Sequence, residues 1–364
     1  MYMNKKIAIT GIILVLFSIA TAGCLDFLNE IDNTVTYESH PTSISYTISY
    51  GYRLNCTGSG DYEIKYDCDE PEVLFGMVLS KEVHDSSYNT KTVATFNKIY
   101  SWDIESDLNK DYDLGITASV SSNSYIVPDL NGNNALTIQE IKNEKPVIFA
   151  QYTKPQSNDT TVFIDPNNSD IQNISTDIYN KTYSENSFIV AKELFIWLKQ
   201  NTNYKIHLIS NYVQPANETL GCKTGDCDDL SFLYISLCRA VGIPARFIRG
   251  FLIDEETAIP HAWVEVFVGE EVGNDGWIPV ECAGTSENVD TEVNQNFGVK
   301  SAEHLRLFTD DGSNESLEIS LSGLSYVTYG NRNIDAEAYV EIEGYTVTKS
   351  NKLEIDENGN RSYT

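Results

Sequence analysis

A cysteine stands directly before two aspartates in the segment GDCDDLSF, residues 225–232, where an apolar pattern of helical spacing begins. A thiol at a helix start lies near unpaired backbone N–H groups and the positive end of the helix dipole, and both favour the thiolate. We therefore expect Cys227 to have a lowered pKa and to act as a nucleophile. The neighbouring Asp226, Asp228 and Asp229 oppose this if their carboxylates lie close to the sulfur.

Two strand-like runs further along the chain carry a possible base and its acidic partner. HAWVEV begins at His261, GWIPVEC contains Glu281, and the segment GEEVGNDG between them predicts a hairpin turn. In such a hairpin both side chains lie far from the turn on neighbouring strands, so the carboxylate could orient the imidazole and stabilise its charged form. The pattern predicts a nucleophilic triad of Cys227, His261 and Glu281.

These motifs resemble the transglutaminase-like superfamily. The similarity covers GDCDDLSFLYISLCRAVGIPARFIRG, HAWVEV and GWIPVE, and it extends back through AKELFIWLKQNTNY to span residues 188–284. The resemblance implies a papain-like arrangement in which Cys227 is the nucleophile, His261 the general base and acid, and Glu281 the orienting acid. Glu281 departs from the family pattern, which usually has aspartate at this position.

The resemblance also implies a thioester intermediate on Cys227 and an oxyanion hole made of the nucleophile's own N–H and an upstream side chain. The sequence does not choose among Tyr204, Tyr212 and Gln214 for that second donor. Attack by water would make the protein a peptidase or amidase, and attack by a lysine amine would make it a crosslinking enzyme. The expected function is hydrolysis of peptide or cell-envelope amide bonds, and this chemistry requires no cofactor.

Other roles for the cysteine remain open. A disulfide from Cys227 to Cys222 or Cys282 would leave the motif intact and the site inactive. Cysteine is also among the most buried residue types, so Cys227 could simply fill core space. In either case the domain would serve as an extracellular binding or adhesion protein.

A second cluster of oxygen-bearing side chains lies in DLNGNNALTIQE, residues 129–140. Positions 1, 3, 5, 9 and 12 follow the layout of an EF-hand-type calcium loop, with Asn134 in place of the usual glycine at position 6. Such a site could order the N-terminal region against the active-site cleft, whereas the alternative is an ordinary turn leading into a short helix. The predicted calcium ligands are Asp129, Asn131, Asn133, the carbonyl of Ala135, Thr137 and Glu140.

The elements that must position the triad indicate an α+β fold. ENSFIVAKELFIWLKQNTNY has the spacing of a helix, the nucleophile segment predicts a second helix, and three strand-like runs follow it. Alternating polar and apolar residues predict a β-rich, sandwich-like N-terminal domain over residues 24–165. We expect the transglutaminase-like domain at 166–310, with its core at 188–284, and a strand-rich extension at 311–364.

The first residues predict export. Two lysines precede an apolar stretch and the small residues of ATAGC, which indicates a signal segment at 1–23 and a lipidated Cys24, with an uncleaved signal anchor as the alternative. We expect the protein on the outer face of the cell membrane, where Cys56 and Cys68 could form a disulfide. The formal net charge of -28 argues against a nucleic-acid partner, so the expected partners are protein, peptide or cell-envelope substrates.

Overall fold

The structure is a computed structural model that describes residues 34–93, 96–207, 212–321 and 323–364. The predicted signal segment and Cys24 lie outside these residues. The described chain is a mixed α+β fold, as the sequence predicted. No helix in this part of the chain is long and apolar enough to cross a membrane.

Strands outnumber helices in the described ranges. The strands are β1 (Val35–Ser59), β2 (Tyr62–Asp69), β3 (Gly76–Val83), β4 (Asn89–Val93), β5 (Asn97–Ser106), β6 (Lys110–Asn123), β7 (Tyr125–Ile126), β8 (Gln156–Ser157), β9 (Val162–Ile164), β10 (Asn203–Tyr204), β11 (Thr224–Gly225), β12 (Ala245–Ile253), β13 (Ala258–Phe267), β14 (Trp277–Val280), β15 (Val299–Lys300), β16 (His304–Thr309), β17 (Ser325–Thr328), β18 (Asn331–Ile355) and β19 (Arg361–Tyr363). The helices are α1 (Ile138–Glu144), α2 (Pro146–Tyr152), α3 (Ser169–Thr182), α4 (Ser187–Asn201), α5 (Ala216–Cys222), α6 (Cys227–Ala240), α7 (Val289–Asn296) and α8 (Asn314–Ser320).

Antiparallel sheets dominate the N-terminal part of the chain. β1 is the central strand of a five-stranded sheet in the order β19–β18–β1–β6–β3, and a second sheet has the order β17–β2–β5–β4. Along β1, Ile44, Tyr46, Ile48 and Tyr50 are buried, whereas the residues between them are partly exposed. This alternation is the one expected of a strand whose successive side chains point to opposite faces.

The C-terminal residues complete the N-terminal sheet. β18 runs antiparallel to β1, from Val35 opposite Ile355 to Ser59 opposite Asn331. The extension that the sequence sets apart at 311–364 therefore shares a sheet with the first strand of the described chain.

A four-stranded antiparallel sheet in the order β14–β13–β12–β16 carries most of the candidate site. β13 and β14 form the predicted hairpin, and its turn uses Gly269 and Gly276 at positive φ, where a side chain would be strained. Helix α6 packs against this sheet and against α3 and α4. The sequence predicted one buried face for α6, but every residue from Leu230 to Arg239 is buried because neighbours surround the helix.

Helix α4 lies where the sequence predicted a helix. The side chain of Asn186 caps it by accepting a hydrogen bond from the N–H of Ile189 at 3.1 Å. The five apolar residues at helical spacing are all fully buried in the core around α6, namely Phe188, Ala191, Leu194, Phe195 and Leu198.

The N-terminal sheets pack directly on β12 and β16. Phe251 and Leu305 belong to the same buried cluster as Tyr50, and the rings of Tyr50 and Phe251 meet edge to face at 5.4 Å. Arg249 forms an ion pair with Asp69 at 2.5 Å. The N-terminal sheets therefore pack against β12 and β16, the two strands at one edge of the four-stranded sheet.

The disulfide predicted between Cys56 and Cys68 is not formed. Both residues have free thiols and are buried. They lie on β1 and β2, which belong to different sheets, so their position on either side of a turn does not bring them together.

Candidate active site

Cys227 is the first residue of α6, at the helix start that the sequence indicated. Asp226 is the N-cap, and its backbone N–H donates to Oδ2 of Asp229 at 3.0 Å. The N–H of Cys227 is among the first four of the helix, which have no acceptor within it. Cys227, Cys222 and Cys282 all have free thiols, so neither disulfide that would block the site is formed.

The surroundings of Cys227 hold its thiol in the neutral form. Burial raises the pKa of Cys227 to about 12, and the charges of Asp228 and Asp226 act in the same direction, while a hydrogen bond from the backbone N–H of Ala262 opposes them. This is the opposite of the lowered pKa that the helix start led us to expect, because burial and the flanking acids outweigh the helix terminus. A thiolate at Cys227 therefore requires a base that takes its proton.

The two acids that flank Cys227 interact with each other. Burial raises the pKa of Asp228 to about 9, and a hydrogen bond with Asp226 adds to this shift. Two carboxylates in contact cannot both ionise without strong repulsion, and the raised pKa keeps Asp228 protonated at neutral pH. At neutral pH the sulfur of Cys227 consequently has no negative charge from Asp228 beside it.

His261 on β13 and Glu281, just after β14, are in direct contact. Nε2 of His261 lies 2.7 Å from Oε2 of Glu281. The hairpin register places Glu281 diagonally across from His261 on the neighbouring strand. The thiol of Cys227 lies against the backbone of Ala262, the next residue along β13, so the structure brings the three predicted triad residues together.

Glu281 is ionised and accepts hydrogen bonds only. Burial alone would raise its pKa, but the contacts with His261 and His304 outweigh burial and hold the pKa of Glu281 well below its usual range. Its Oε1 also accepts from the N–H of Ala283 at 2.7 Å. Because a carboxylate cannot donate, Nε2 of His261 must carry a hydrogen, which leaves Nδ1 as the nitrogen that can take a proton.

His304, the first residue of β16, also belongs to the site, although the sequence analysis did not select it. Its Nε2 lies 2.9 Å from Oε2 of Glu281, the same oxygen that contacts His261. The two imidazole centroids are 5.3 Å apart, and the ring of Trp263 lies 5.0 Å from His304. HLRLFT opens with a histidine as HAWVEV does, but only the sheet shows that the two histidines lie side by side.

The donor atoms of His261, Glu281 and His304 lie within 4.8 Å of one another, and their types could hold a metal ion. Both Nε2 atoms already point at one carboxylate oxygen. The contact between His261 and Glu281 is also the one that proton transfer to Cys227 would use.

Of the three predicted oxyanion donors, Tyr204 is the one whose surroundings best fit that role. It pairs with Gly225 between β10 and β11, two residues before Cys227. Burial raises the pKa of Tyr204 to about 12, and the charge of Cys227 is the next cause. Tyr212 instead is exposed and donates to Glu218 at 2.6 Å.

Gln214 has a structural role at the start of α6. Its backbone N–H donates to Oδ1 of the fully buried Asp229 at 2.7 Å, and its side chain contacts His207 and Cys222. His207 Nε2 lies 2.5 Å from the other oxygen of Asp229. These contacts join the segment before α5 to helix α6 and occupy the Gln214 side chain.

A buried ion pair holds the loop after Glu281. Nζ of Lys199 lies 3.1 Å from Oε2 of Glu292, and both side chains are less than a tenth exposed, at 7% and 1%. The same ammonium group donates to the carbonyls of Cys282, at 3.0 Å, and Gly284. The pair thereby holds the backbone immediately after Glu281.

The predicted calcium loop at 129–140 begins with a turn held by Asp129. Its carboxylate accepts from the N–H of Asn131 at 2.6 Å and from Nδ2 of Asn133 at 2.5 Å. Asn134 adopts a left-handed conformation, φ 66°, as an asparagine in place of the usual glycine can.

The end of the same loop is a helix cap. Oε2 of Glu140 accepts from the N–H and the hydroxyl of Thr137, at 2.7 and 2.8 Å, in a capping box that begins α1. The Ala135 carbonyl accepts from Asn186 at 3.5 Å. The structure thus uses the expected bidentate ligand as a cap, and calcium binding stays a prediction.

Residues 175–282 match the family model of the transglutaminase-like superfamily, and the matched segment contains Cys227, His261 and Glu281. This segment is a transglutaminase-like domain. The resemblance on which the sequence analysis relied is confirmed for this part of the chain. The domain and the geometry around Cys227 together support a cysteine-dependent enzyme.

The transglutaminase-like domain and the surrounding chain share their fold with a solved structure, that of a "Putative Cysteine Protease from Cytophaga hutchinsonii". The TM-score is 0.55 at 13% sequence identity, with 91% of this chain and 100% of the other covered. The periplasmic domain of TgpA from Pseudomonas aeruginosa also aligns, with a TM-score of 0.33, 11% identity, and coverage of 67% and 92%. No curated protein matches this chain.

Proposed function

We propose that this protein is a thiol-dependent hydrolase of amide bonds that works through a thioester on Cys227. The observation that supports it best is the 2.7 Å contact between His261 and Glu281, beside a free, neutral Cys227 thiol at a helix start. The contact reserves one nitrogen of His261 for proton transfer, and the helix start supplies unpaired N–H groups.

The first half of the reaction forms the thioester. Nδ1 of His261 takes the proton of Cys227 as sulfur attacks the amide carbonyl carbon and the carbonyl electrons move to oxygen. The N–H of Cys227 and the hydroxyl of Tyr204 donate to this oxyanion. The imidazolium, stabilised by Glu281, then gives its proton to the amide nitrogen as the C–N bond breaks and the amine leaves.

The second half releases the product. Water gives a proton to Nδ1 of His261 and attacks the thioester carbonyl, after which the C–S bond breaks and the sulfur of Cys227 takes that proton. A primary amine in place of water would form a new amide, as in a crosslinking enzyme. We favour hydrolysis because water reaches every solvent-accessible thioester, whereas transfer requires an amine bound in competition with it. The name of the Cytophaga protein is in keeping with this choice.

Alkylation by iodoacetamide, read at individual cysteines by peptide mass mapping, tests the active thiol. We expect Cys227 of the wild type to react at pH 7 at least about tenfold faster than Cys227 of His261→Ala, because the imidazole takes the thiol proton. The exposed Cys222 is an internal reference and should react equally in both proteins. Equal rates at Cys227 would favour the binding or adhesion protein instead.

Incubation of the purified protein with a peptide library, with and without a primary amine, separates the two enzyme classes. A hydrolase yields carboxylic acids in both conditions, and a crosslinking enzyme yields new amides when the amine is present. Cys227→Ser should yield neither product. Export and lipid attachment at Cys24 stay proposals from the sequence, and the mass of the mature N-terminal peptide would test them.

A further inference from the structure

Glu281 contacts two imidazoles, but the triad uses only one of them. We propose that His304 is a positioning residue that holds the carboxylate of Glu281 in the place where His261 needs it. This inference rests on the proposed function, because it concerns how the same triad is assembled.

The carboxylate of Glu281 needs more anchoring than a shorter acid would. A glutamate side chain has one more rotatable bond than an aspartate, so the backbone fixes its carboxylate less and ordering it costs more entropy. Ala283 binds Oε1, while His261 and His304 bind Oε2 at 2.7 and 2.9 Å. Of these three partners, which are the ones found among the described residues, only His304 comes from outside the β13–β14 hairpin and its adjoining loop, so it connects Glu281 to another strand.

His304 is suited to be a neutral donor. Its Nδ1 is buried and has no hydrogen-bond partner within the described residues, whereas its Nε2 contacts the ionised carboxylate. Burial lowers the pKa of His304, and His261 and Lys300 lower it further, against the opposing effect of Glu281. A neutral ring with its hydrogen on Nε2 adds a donor without adding a second cation, so Glu281 keeps its charge for the imidazolium of His261.

The sheet brings His304 to the site through a glycine. β12 lies between β13 and β16, and its residue opposite His261 is Gly250. The pairing of β12 with β16 is irregular between Arg249 and Gly250, and a Cβ on Gly250 would overlap the carbonyl oxygen of Leu305. β16 can therefore approach closely at this point, and the two imidazole centroids come within 5.3 Å.

Two substitutions separate the hydrogen bond from simple packing. His304→Leu keeps an apolar side chain against Trp263 and removes the donor, whereas His304→Gln places an amide donor at a similar reach. A hydrogen bond to a charged group changes an equilibrium constant by about tenfold or more. We therefore expect His304→Leu to slow alkylation of Cys227 at pH 7 by about tenfold. The midpoint of the pH dependence of Cys227 alkylation in His304→Leu should rise by about one pH unit. The reason is that a less firmly held Glu281 carboxylate stabilises the imidazolium of His261 less. His304→Gln should recover most of both losses.

Controls distinguish this inference from the proposed function. His84→Leu removes a part-buried histidine of the N-terminal sheet and should leave the rate at Cys227 unchanged. If wild-type alkylation does not depend on His261, the proposed function itself fails. If it depends on His261 and Glu281 but His304→Leu matches the wild type in rate and midpoint, only the role of His304 is overturned.

A double substitution gives a further test. In Glu281→Asp the shorter carboxylate cannot stay on both imidazoles, so adding His304→Leu should cost much less than it does in the wild-type background. Additive losses would show that His304 acts independently of Glu281 and would contradict the proposal.

Discussion

Nε2 of His261 lies 2.7 Å from Oε2 of Glu281, and this contact determines which nitrogen of the ring is available as a base. An ionised acceptor requires the hydrogen on Nε2. A glutamine amide could instead donate to Nε2 and so favour the tautomer with its hydrogen on Nδ1. The lowered pKa of Glu281 means that this acceptor persists well into the acidic range.

We predict that Glu281→Gln lowers the rate of amide hydrolysis by about 10² to 10⁴ while the protein stays folded, because the wrong tautomer predominates. The rate of amide hydrolysis should fall less in Glu281→Asp, because aspartate keeps the negative charge. Steady-state kinetics on a substrate from the peptide library, with circular dichroism as the folding control, measures both. A Glu281→Gln enzyme with wild-type kcat/KM would show that the contact does not set the tautomer.

Loss of the Lys199 ammonium should destabilise the protein by about 3–5 kcal/mol, because Glu292 would remain as an unpaired buried charge. We predict this for Lys199→Met in urea unfolding. Lys181→Met is the matched control, since the pair between Lys181 and Asp177 is exposed and should contribute about 0.3–0.5 kcal/mol. Similar losses in the two variants would contradict the importance of the buried pair.

The stability conferred at Lys300 should depend on pH. Burial lowers the pKa of this ammonium from 10.5 to about 7, with Arg306 contributing, while its Nζ donates to Ser122 and to the carbonyl of Asn123. Between these pH values the unfolded chain binds more protons than the folded one. The contribution of Lys300 to the free energy of unfolding therefore rises with pH and is lost as the pH falls toward 7.

We therefore predict that the unfolding free energy of the wild type increases relative to Lys300→Met between pH 7 and pH 9.5, by up to about 1.4 kcal/mol per pH unit. Urea unfolding at several pH values measures the difference. Lys352→Met, which removes an exposed lysine, should run parallel to the wild type. A constant difference between wild type and Lys300→Met would mean that Lys300 is not titrating.

Gly250→Ala should displace β16, because the added methyl group would overlap the backbone of Leu305. Overpacking of this kind typically costs about 1–3 kcal/mol. The matched control is Gly221→Ala on helix α5, where nothing lies within 4 Å of an added methyl, and which should stabilise by about 0.4–1 kcal/mol. Thermal unfolding compares the two. A neutral Gly250→Ala would show that β12 and β16 can separate without loss.

Glu140→Gln tests whether residues 129–140 form a helix cap or a calcium site. Glutamine serves in a capping box as glutamate does, so a cap predicts little change in stability, whereas Thr137→Ala should lose about 0.5–2 kcal/mol. Thermal unfolding with and without millimolar calcium gives the readout. We expect the same response to calcium in the wild type and in Glu140→Gln. If calcium raises the unfolding temperature of the wild type but not that of Glu140→Gln, the loop is a calcium site.

Local patterns were sufficient for much of the site. Apolar spacing predicted α4, the helix start predicted the place of Cys227, and a turn between two strand-like runs predicted that His261 and Glu281 would be neighbours. Each of these inferences concerns residues close together in the chain or joined by a short turn. In such cases backbone periodicity alone limits where the side chains can lie.

The remaining features depend on contacts between distant parts of the chain. No single segment of the sequence indicates the contact of His304 with Glu281, the ion pair of Lys199 and Glu292, or the pairing of β18 with β1. The prediction of a disulfide was wrong for the same reason, since Cys56 and Cys68 are near in sequence but lie in separate sheets.

By itself the sequence determined the transglutaminase-like domain and the residue types that can do its chemistry. The tertiary structure decided their state. Burial and the neighbouring Asp226 and Asp228 raise the pKa of Cys227, although its place at a helix start predicted the opposite. The physical reason is that a pKa depends on solvation and on every nearby charge, and both are set only when distant strands and helices pack around the group.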